Sequence, residues 1–232
     1  SAGCGRIVSD SEIFQAIRDS LKYHKDPRYG RQTQSRWPSV NSKKIEAIAA
    51  NGSGLAELKK TSPVEVALAA AKPEYFLNLL FPGNPLICMG WDAKSFSTRK
   101  LSEWKGALDK VAFIVPSPMT SRIGQTKDGR ETSRSLANTG PRKFLVVEFD
   151  SIPIDTQAAI LGHLADYAPL SLVVHSGSKS LHGWFHCQSC ADEKISAFFQ
   201  YSVSLGADPA TWTPCQLVRL PEGKRNNGNF QS

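Results

Sequence analysis

The chain has 232 residues, 41% of them apolar and 21% charged, and a formal net charge of +7. That length is ample for a packed core, and no apolar run approaches the roughly 20 residues a membrane helix needs. No signal peptide opens the chain, and the scattered cysteines (Cys4, Cys88, Cys187, Cys190, Cys215) do not resemble a secreted disulfide framework, so the reading is a soluble cytoplasmic (intracellular) protein with no membrane partner. The basic residues cluster in 22–36, in 122–143 and at Lys224-Arg225, which suits a polyanion such as nucleic acid as well as a generally basic, solvated surface.

Taken in chain order, Ser9-Asp10-Ser11-Glu12 opens a helix, with Ile13, Phe14, Ile17 and Leu21 at helical spacing. Residues 28–38 form a basic loop in which Arg28, Arg31 and Arg36 alternate with Tyr29 and Trp37. Such a mixture grips phosphates and stacks on bases, or serves as an exposed connector. Residues 42–50 read as a helix. Pro63 begins a further helix to about residue 71, and Pro73 starts a separate one to Leu80. Residues 1–84 are therefore a mainly helical region.

The pattern changes at the turn 81–85. Strands are expected at 86–89, 111–115, 170–174, 181–186 and 216–220, and helices at 155–167 and 191–205. The polar stretch 116–139 is long for a loop in a compact domain, which marks it as functional or mobile. Residues 85–232 thus form a mixed α/β core, and the whole chain is of the α+β class.

The core is organised around residues 142–150, RKFLVVEFD. Its β-branched and aromatic residues predict a strand buried on both faces. Glu148 and Asp150 are two residues apart and share a side. An apolar strand does not hide two carboxylates without cations or donors, and paired carboxylates suit Mg²⁺ or Mn²⁺. The plain alternative has Asp150 starting the turn before Pro153 and Glu148 on a solvent-facing edge.

A second stretch, residues 175–185 (HSGSKSLHGWF), runs from a strand through a hydroxyl-rich turn containing Ser176, Ser178, Lys179 and Ser180 into a strand opened by His182. Backbone amides in Gly/Ser turns form anion-binding nests; the spacing is not that of a Walker A loop, and an ordinary polar hairpin is the alternative. In a third stretch, Asp208 precedes a proline turn and a strand carrying Arg219. They suit a further metal-facing carboxylate and a phosphate clamp, or a turn cap and a surface ion pair.

These three motifs, in this order, resemble those of the archaeo-eukaryotic primase superfamily, the primase-polymerases. Leu145-Val146-Val147-Glu148-Phe149-Asp150 resembles its acidic motif, with glutamate in the first acidic place as a departure from the usual order. Ser180-Leu181-His182, preceded by Lys179, resembles the second motif, and Asp208 ahead of Arg219-Leu220-Pro221 the third. The resemblance covers roughly residues 86–225. It implies a primase-polymerase core with an RRM-like sheet and a DNA primase or DNA polymerase activity. Glu148, Asp150 and Asp208 would hold two Mg²⁺ or Mn²⁺ ions. Ser176, Ser178, Lys179, Ser180, His182 and Arg219 would bind the nucleoside triphosphate. Arg28, Arg31, Arg36, Trp37, Lys224 and Arg225 would track a single-stranded DNA template. A helicase domain or protein is an expected partner, in replication of a phage, plasmid or other mobile element. An inactive nucleic-acid-binding replication or defence module and a metal-dependent nuclease are the alternatives. Zinc is not expected: His186, Cys187 and Cys190 fall short of a four-ligand set, and the two cysteines read as a buried thiol pair.

Overall fold

The computed structural model describes residues 37–52, 54–61, 72–225 and 228–232. The helices expected at 9–25 and 63–71, and Arg28, Arg31 and Arg36 of the basic loop, lie outside the described residues. In chain order the described elements are α1 (Ser42–Asn51), α2 (Leu55–Lys60), α3 (Pro73–Leu80), β1 (Leu86–Gly90), β2 (Phe96–Lys100), β3 (Phe113–Ile114), β4 (Gly124–Gln125), β5 (Glu131–Thr132), β6 (Phe144–Glu148), α4 (Ile154–Ala165), β7 (Leu170–His175), β8 (Leu181–His186), α5 (Asp192–Ser204) and β9 (Val218–Arg219). The α+β class expected from the sequence is the one observed. No helix among the described residues is long and apolar enough to cross a membrane.

The central layer is an antiparallel sheet in the order β6-β8-β7. Alternation along β6 divides its side chains between two cores. Leu145 and Val147, with Phe149 beyond the strand, pack with Ile160, Leu161 and Leu164 of α4 and Phe198 and Phe199 of α5. Phe144 and Val146 pack with Trp184 against Ile87, Met89, Ile114 and Val218 of the second antiparallel sheet, ordered β2-β1-β3-β9. Burying each such side chain is worth roughly 1.5–3 kcal/mol, and this two-sided burial explains why 144–147 is a continuous apolar run. A register shift in β7 between Leu170 and Leu172 changes the face each residue takes. Leu170 therefore joins the helical core while Leu172 and Val174 join the other.

The early helices pack on these same cores. Ile45 and Ile48 of α1 and Leu55 and Leu58 of α2 contact the α4 side, and Leu77 and Leu80 of α3 enter the core between the sheets. Asp155 in the first turn of α4 accepts from the Leu55 amide (2.9 Å), satisfying an N-terminal donor of α2.

The segment 116–139 is built, not loose. The fully buried Asn138 accepts from Ser135 N (2.8 Å) and Ser135 Oγ (3.0 Å). Its Nδ2 donates to Ser121 O and Ser133 O, each at 3.1 Å. Thr98 Oγ1 donates to Ser133 O (2.6 Å), tying the segment to the edge strand β2.

Candidate active site at the carboxyl end of the central strand

Glu148 is the last residue of β6, and His182 stands directly opposite it on β8. Directly opposed residues share a face of the sheet, here the face turned to the second sheet. His182 Nε2 lies 3.3 Å from Glu148 Oε1, with the histidine buried and the glutamate about one-fifth exposed. Burial and the neighbouring Arg219 push His182 down to about 3. Burial, with repulsion from Asp150 and Asp208, pushes Glu148 up to about 7, against the pull of Arg219 and Lys179. The imidazole is therefore neutral at neutral pH, and the contact is not an ion pair. Among the described residues neither ring nitrogen of His182 has a hydrogen-bond partner, an expensive state for a buried polar group.

Asp150 lies just past the strand and is exposed. Ser180 Oγ donates to Asp150 Oδ1 at 2.7 Å. Lys179 Nζ is 3.8 Å from the same oxygen, an exposed contact of little energetic weight. The turn between β7 and β8 closes on itself: Ser176 N donates to Ser180 O (2.8 Å), and Ser180 N to Ser176 Oγ (3.2 Å). Ser176 thus spends its hydroxyl on the turn, while Ser178 and Lys179 are exposed at its tip. Gly177 takes φ +73, and a Cβ there would run into the Phe230 carbonyl.

Asp208 comes to the same place from the end of α5. Its amide donates to the Glu148 carbonyl at 2.8 Å, while its carboxylate caps the short helical turn Pro209–Trp212 by accepting from Ala210 N at 2.9 Å. The carboxylate thus takes the turn-cap position, while the backbone of Asp208 lies beside the end of β6. Arg219 pairs with Phe113 across β3 and β9, its guanidinium 4.4 Å from the ring centre. It makes no ion pair among the described residues. Burial holds its pKa below the usual arginine range, while Glu148 and Asp150 act in the opposite sense.

Glu148, Asp150 and the backbone of Asp208 come together at one strand end, and carboxylates are the donors a hard divalent cation takes. Burial first, then repulsion from Asp150 and Asp208, raises Glu148, a repulsion that a cation would relieve. As arranged, no group of three or more His, Cys, Asp or Glu side chains among the described residues is closed enough to hold a metal. Asp208 in particular is turned to its own cap.

The residues expected to track nucleic acid divide. Trp37 packs edge-on against Phe199 (5.2 Å) and Trp212 (5.8 Å), as part of the helical core. Lys224 is exposed over Phe230. Arg225 donates to Ser176 O at 3.3 Å, so it braces the turn of the site. Of the expected buried thiol pair, Cys187 is buried and Cys190 exposed.

Two contributors escaped the sequence reading. Gln157 of α4 is fully buried and bonds both loops of the site. Its Nε2 donates to Ile152 O and Lys179 O, each at 2.8 Å, and its Oε1 accepts from Leu181 N at 2.7 Å. The signal was a glutamine in register with Ile160, Leu161 and Leu164 on the apolar stripe. The second is the C-terminal segment. Asn229 Nδ2 donates to Gly177 O (2.8 Å), and His175 N to Ser232 O. Arg225 N donates to Asn229 O, and Gly228 N to Arg225 O, each at 2.9 Å.

Comparison with protein-family models, with curated proteins and with solved structures returns no match to this chain.

Proposed function

We propose that the chain is a template-directed nucleotidyltransferase, a DNA primase, a DNA polymerase or both. The observation that carries this reading is the convergence of three distant sequence motifs: Ser180 bonds Asp150, His182 faces Glu148, and the Asp208 amide bonds the Glu148 carbonyl. The βαββα succession from β6 to α5, with strand order β6-β8-β7 and both helices on one face, also supports an RRM-like primase-polymerase core.

On this reading Glu148, Asp150 and Asp208 hold the divalent ions. Bound there, Mg²⁺ or Mn²⁺ would activate a 3′-hydroxyl and neutralise charge on the departing pyrophosphate. The chain's own part is positioning and electrostatics. The 176–180 turn and Lys179 receive the triphosphate, and the neutral His182 ring offers an N–H to a phosphate oxygen. Arg219 adds fixed positive charge from the opposite sheet. A single-stranded DNA template and a helicase are the partners that go with this activity, in replication of a phage, plasmid or other mobile element.

The test is incorporation of labelled nucleotides on a single-stranded DNA template with Mn²⁺ or Mg²⁺, with and without a primer. Product that lengthens with time, and its loss in a folded Asp150→Ala variant, is the expected result. Shortening of the template would replace the reading with a nuclease. Template binding without turnover would replace it with an inactive nucleic-acid-binding module.

A further inference from the structure

Resting on that reading, we infer that Gln157 is a positioning residue that sets the nucleotide-binding turn against the acidic strand end. Ser180 is the only residue that hydrogen-bonds the Asp150 carboxylate among the described residues, and Gln157 fixes the chain on both sides of it. The Lys179 carbonyl just before Ser180 and the Leu181 amide just after it both end on the Gln157 amide. The third bond holds the Ile152 carbonyl, two residues beyond Asp150. One side chain therefore bonds the backbone of both stretches that the Ser180–Asp150 contact joins.

Its chemistry is suited to this and to little else. A primary amide offers two N–H donors and a carbonyl acceptor, which matches two backbone carbonyls and one backbone amide. The group is fully buried, so no water replaces a lost bond, and each unmatched group carries its full desolvation cost. Helix α4 holds the side chain from behind: the backbone N–H of Gln157 donates to Pro153 O (2.9 Å), while Ile160, Leu161 and Leu164 anchor the same face in the core. The residue touches no reacting group. It acts through Ser180, Lys179 and the 151–153 turn.

The experiment compares wild type, Gln157→Leu, Gln157→Glu and a core control, Leu164→Ala, for melting temperature, template affinity, and kcat and KM for a nucleoside triphosphate with Mn²⁺. Gln157→Leu loses all three bonds, and Gln157→Glu keeps only the acceptor for Leu181 N. Misplacement of reacting groups by an ångström costs up to about a hundredfold. The inference therefore expects roughly a tenfold or greater rise in nucleotide KM for Gln157→Leu, a smaller rise for Gln157→Glu, and unchanged template affinity. Leu164→Ala, destabilised through the same helix, keeps the wild-type KM. A folded Gln157→Leu with wild-type KM overturns this inference alone. So does failure of both Gln157 variants to fold, which makes the residue a core prop. A wild type that incorporates nothing overturns the polymerase reading and this inference with it.

Discussion

Glu148 and His182 face each other across the β6–β8 ladder, Oε1 3.3 Å from Nε2, and their proton affinities move in opposite directions. Burial disfavours charge on both. The nearby carboxylates then raise the acid further, and Arg219 lowers the base further. The pair is poised to be neutral, which is an unusual resting state for an acid beside a histidine and one that an incoming cation would alter.

The first prediction concerns pH in metal-free protein. Glu148 binds its proton more tightly folded than unfolded, its value rising from 4.5 to about 7. Its contribution to stability is therefore greatest below about 4.5, is lost as pH rises, and levels off above about 7. His182 has the opposite slope, since a value lowered from 6.5 to about 3 costs stability as pH falls through that window. Glu148→Gln removes only the first effect. Thermal unfolding in EDTA should show the variant gaining on wild type from about pH 4.5 to about pH 8, by about 3 kcal/mol at most.

Divalent ions should reverse that cost. With Mn²⁺ at about a hundred times its dissociation constant, linkage predicts about 2.7 kcal/mol of stabilisation. That is a rise of several degrees in melting temperature for wild type at neutral pH. Asp150→Asn keeps an oxygen to accept from Ser180 Oγ but removes a charge, so the Mn²⁺-dependent rise should shrink by half or more while the metal-free melting temperature stays near wild type. An undiminished rise would place the cation elsewhere.

Asn138→Ala tests whether segment 116–139 is held by one side chain. The variant strands the buried Ser135 N and removes the Asn138 donor from Ser121 O and from Ser133 O, the latter still accepting from Thr98 Oγ1; a buried group left unsatisfied costs about 1–3 kcal/mol. Denaturant unfolding should show a loss of about 2–4 kcal/mol, and limited proteolysis should open first cuts between residues 121 and 135.

The elements that the sequence made legible are those whose side chains bear their own pattern. β8 is found at 181–186 and α3 at 73–80 as expected, because an apolar run and a leading proline define them locally. The pairing expected at 111–115 survives beyond the short β3, through Ala112 N to Gly90 O and Val115 N to Cys88 O. β2 was not foreseen. Its sequence, FSTRK, has one apolar residue, and its strand state comes from pairing with β1 and from Thr98 bonding the 116–139 segment. That segment was open to a mobile reading because a buried asparagine hub leaves no periodic trace. At the site, Glu148, Asp150, Ser180 and His182 were readable from the alternation of a strand and the brevity of a turn. The bracing role of Arg225 was not, since it depends on a chain reversal after Leu220 that brings the C-terminal segment back to Ser176.

Gly183→Ala probes how closely α4 lies on the central sheet. A Cβ at Gly183 would overlap the Leu161 side chain, on the face opposite to His182 and Trp184. Overpacking of this kind costs about 1–3 kcal/mol. Chemical denaturation should register that loss, and Leu161→Ala in the same chain should recover part of it by vacating the space.

Arg225 separates two roles, template contact and support of the nucleotide turn. It donates to Ser176 O and lies in the segment that also bonds Gly177 O through Asn229 and the His175 amide through Ser232. If its role is support, Arg225→Ala should raise nucleotide KM severalfold and leave the salt dependence of template binding unchanged, because no phosphate contact is lost. A template contact would do the reverse, weakening binding and lowering the slope of log affinity against log salt by about one. Arg225→Lys sharpens the comparison, since lysine keeps the charge that a DNA phosphate reads but lacks the guanidinium fork that reaches the Ser176 carbonyl. Support predicts that lysine behaves like alanine in KM; template contact predicts that lysine behaves like arginine in binding.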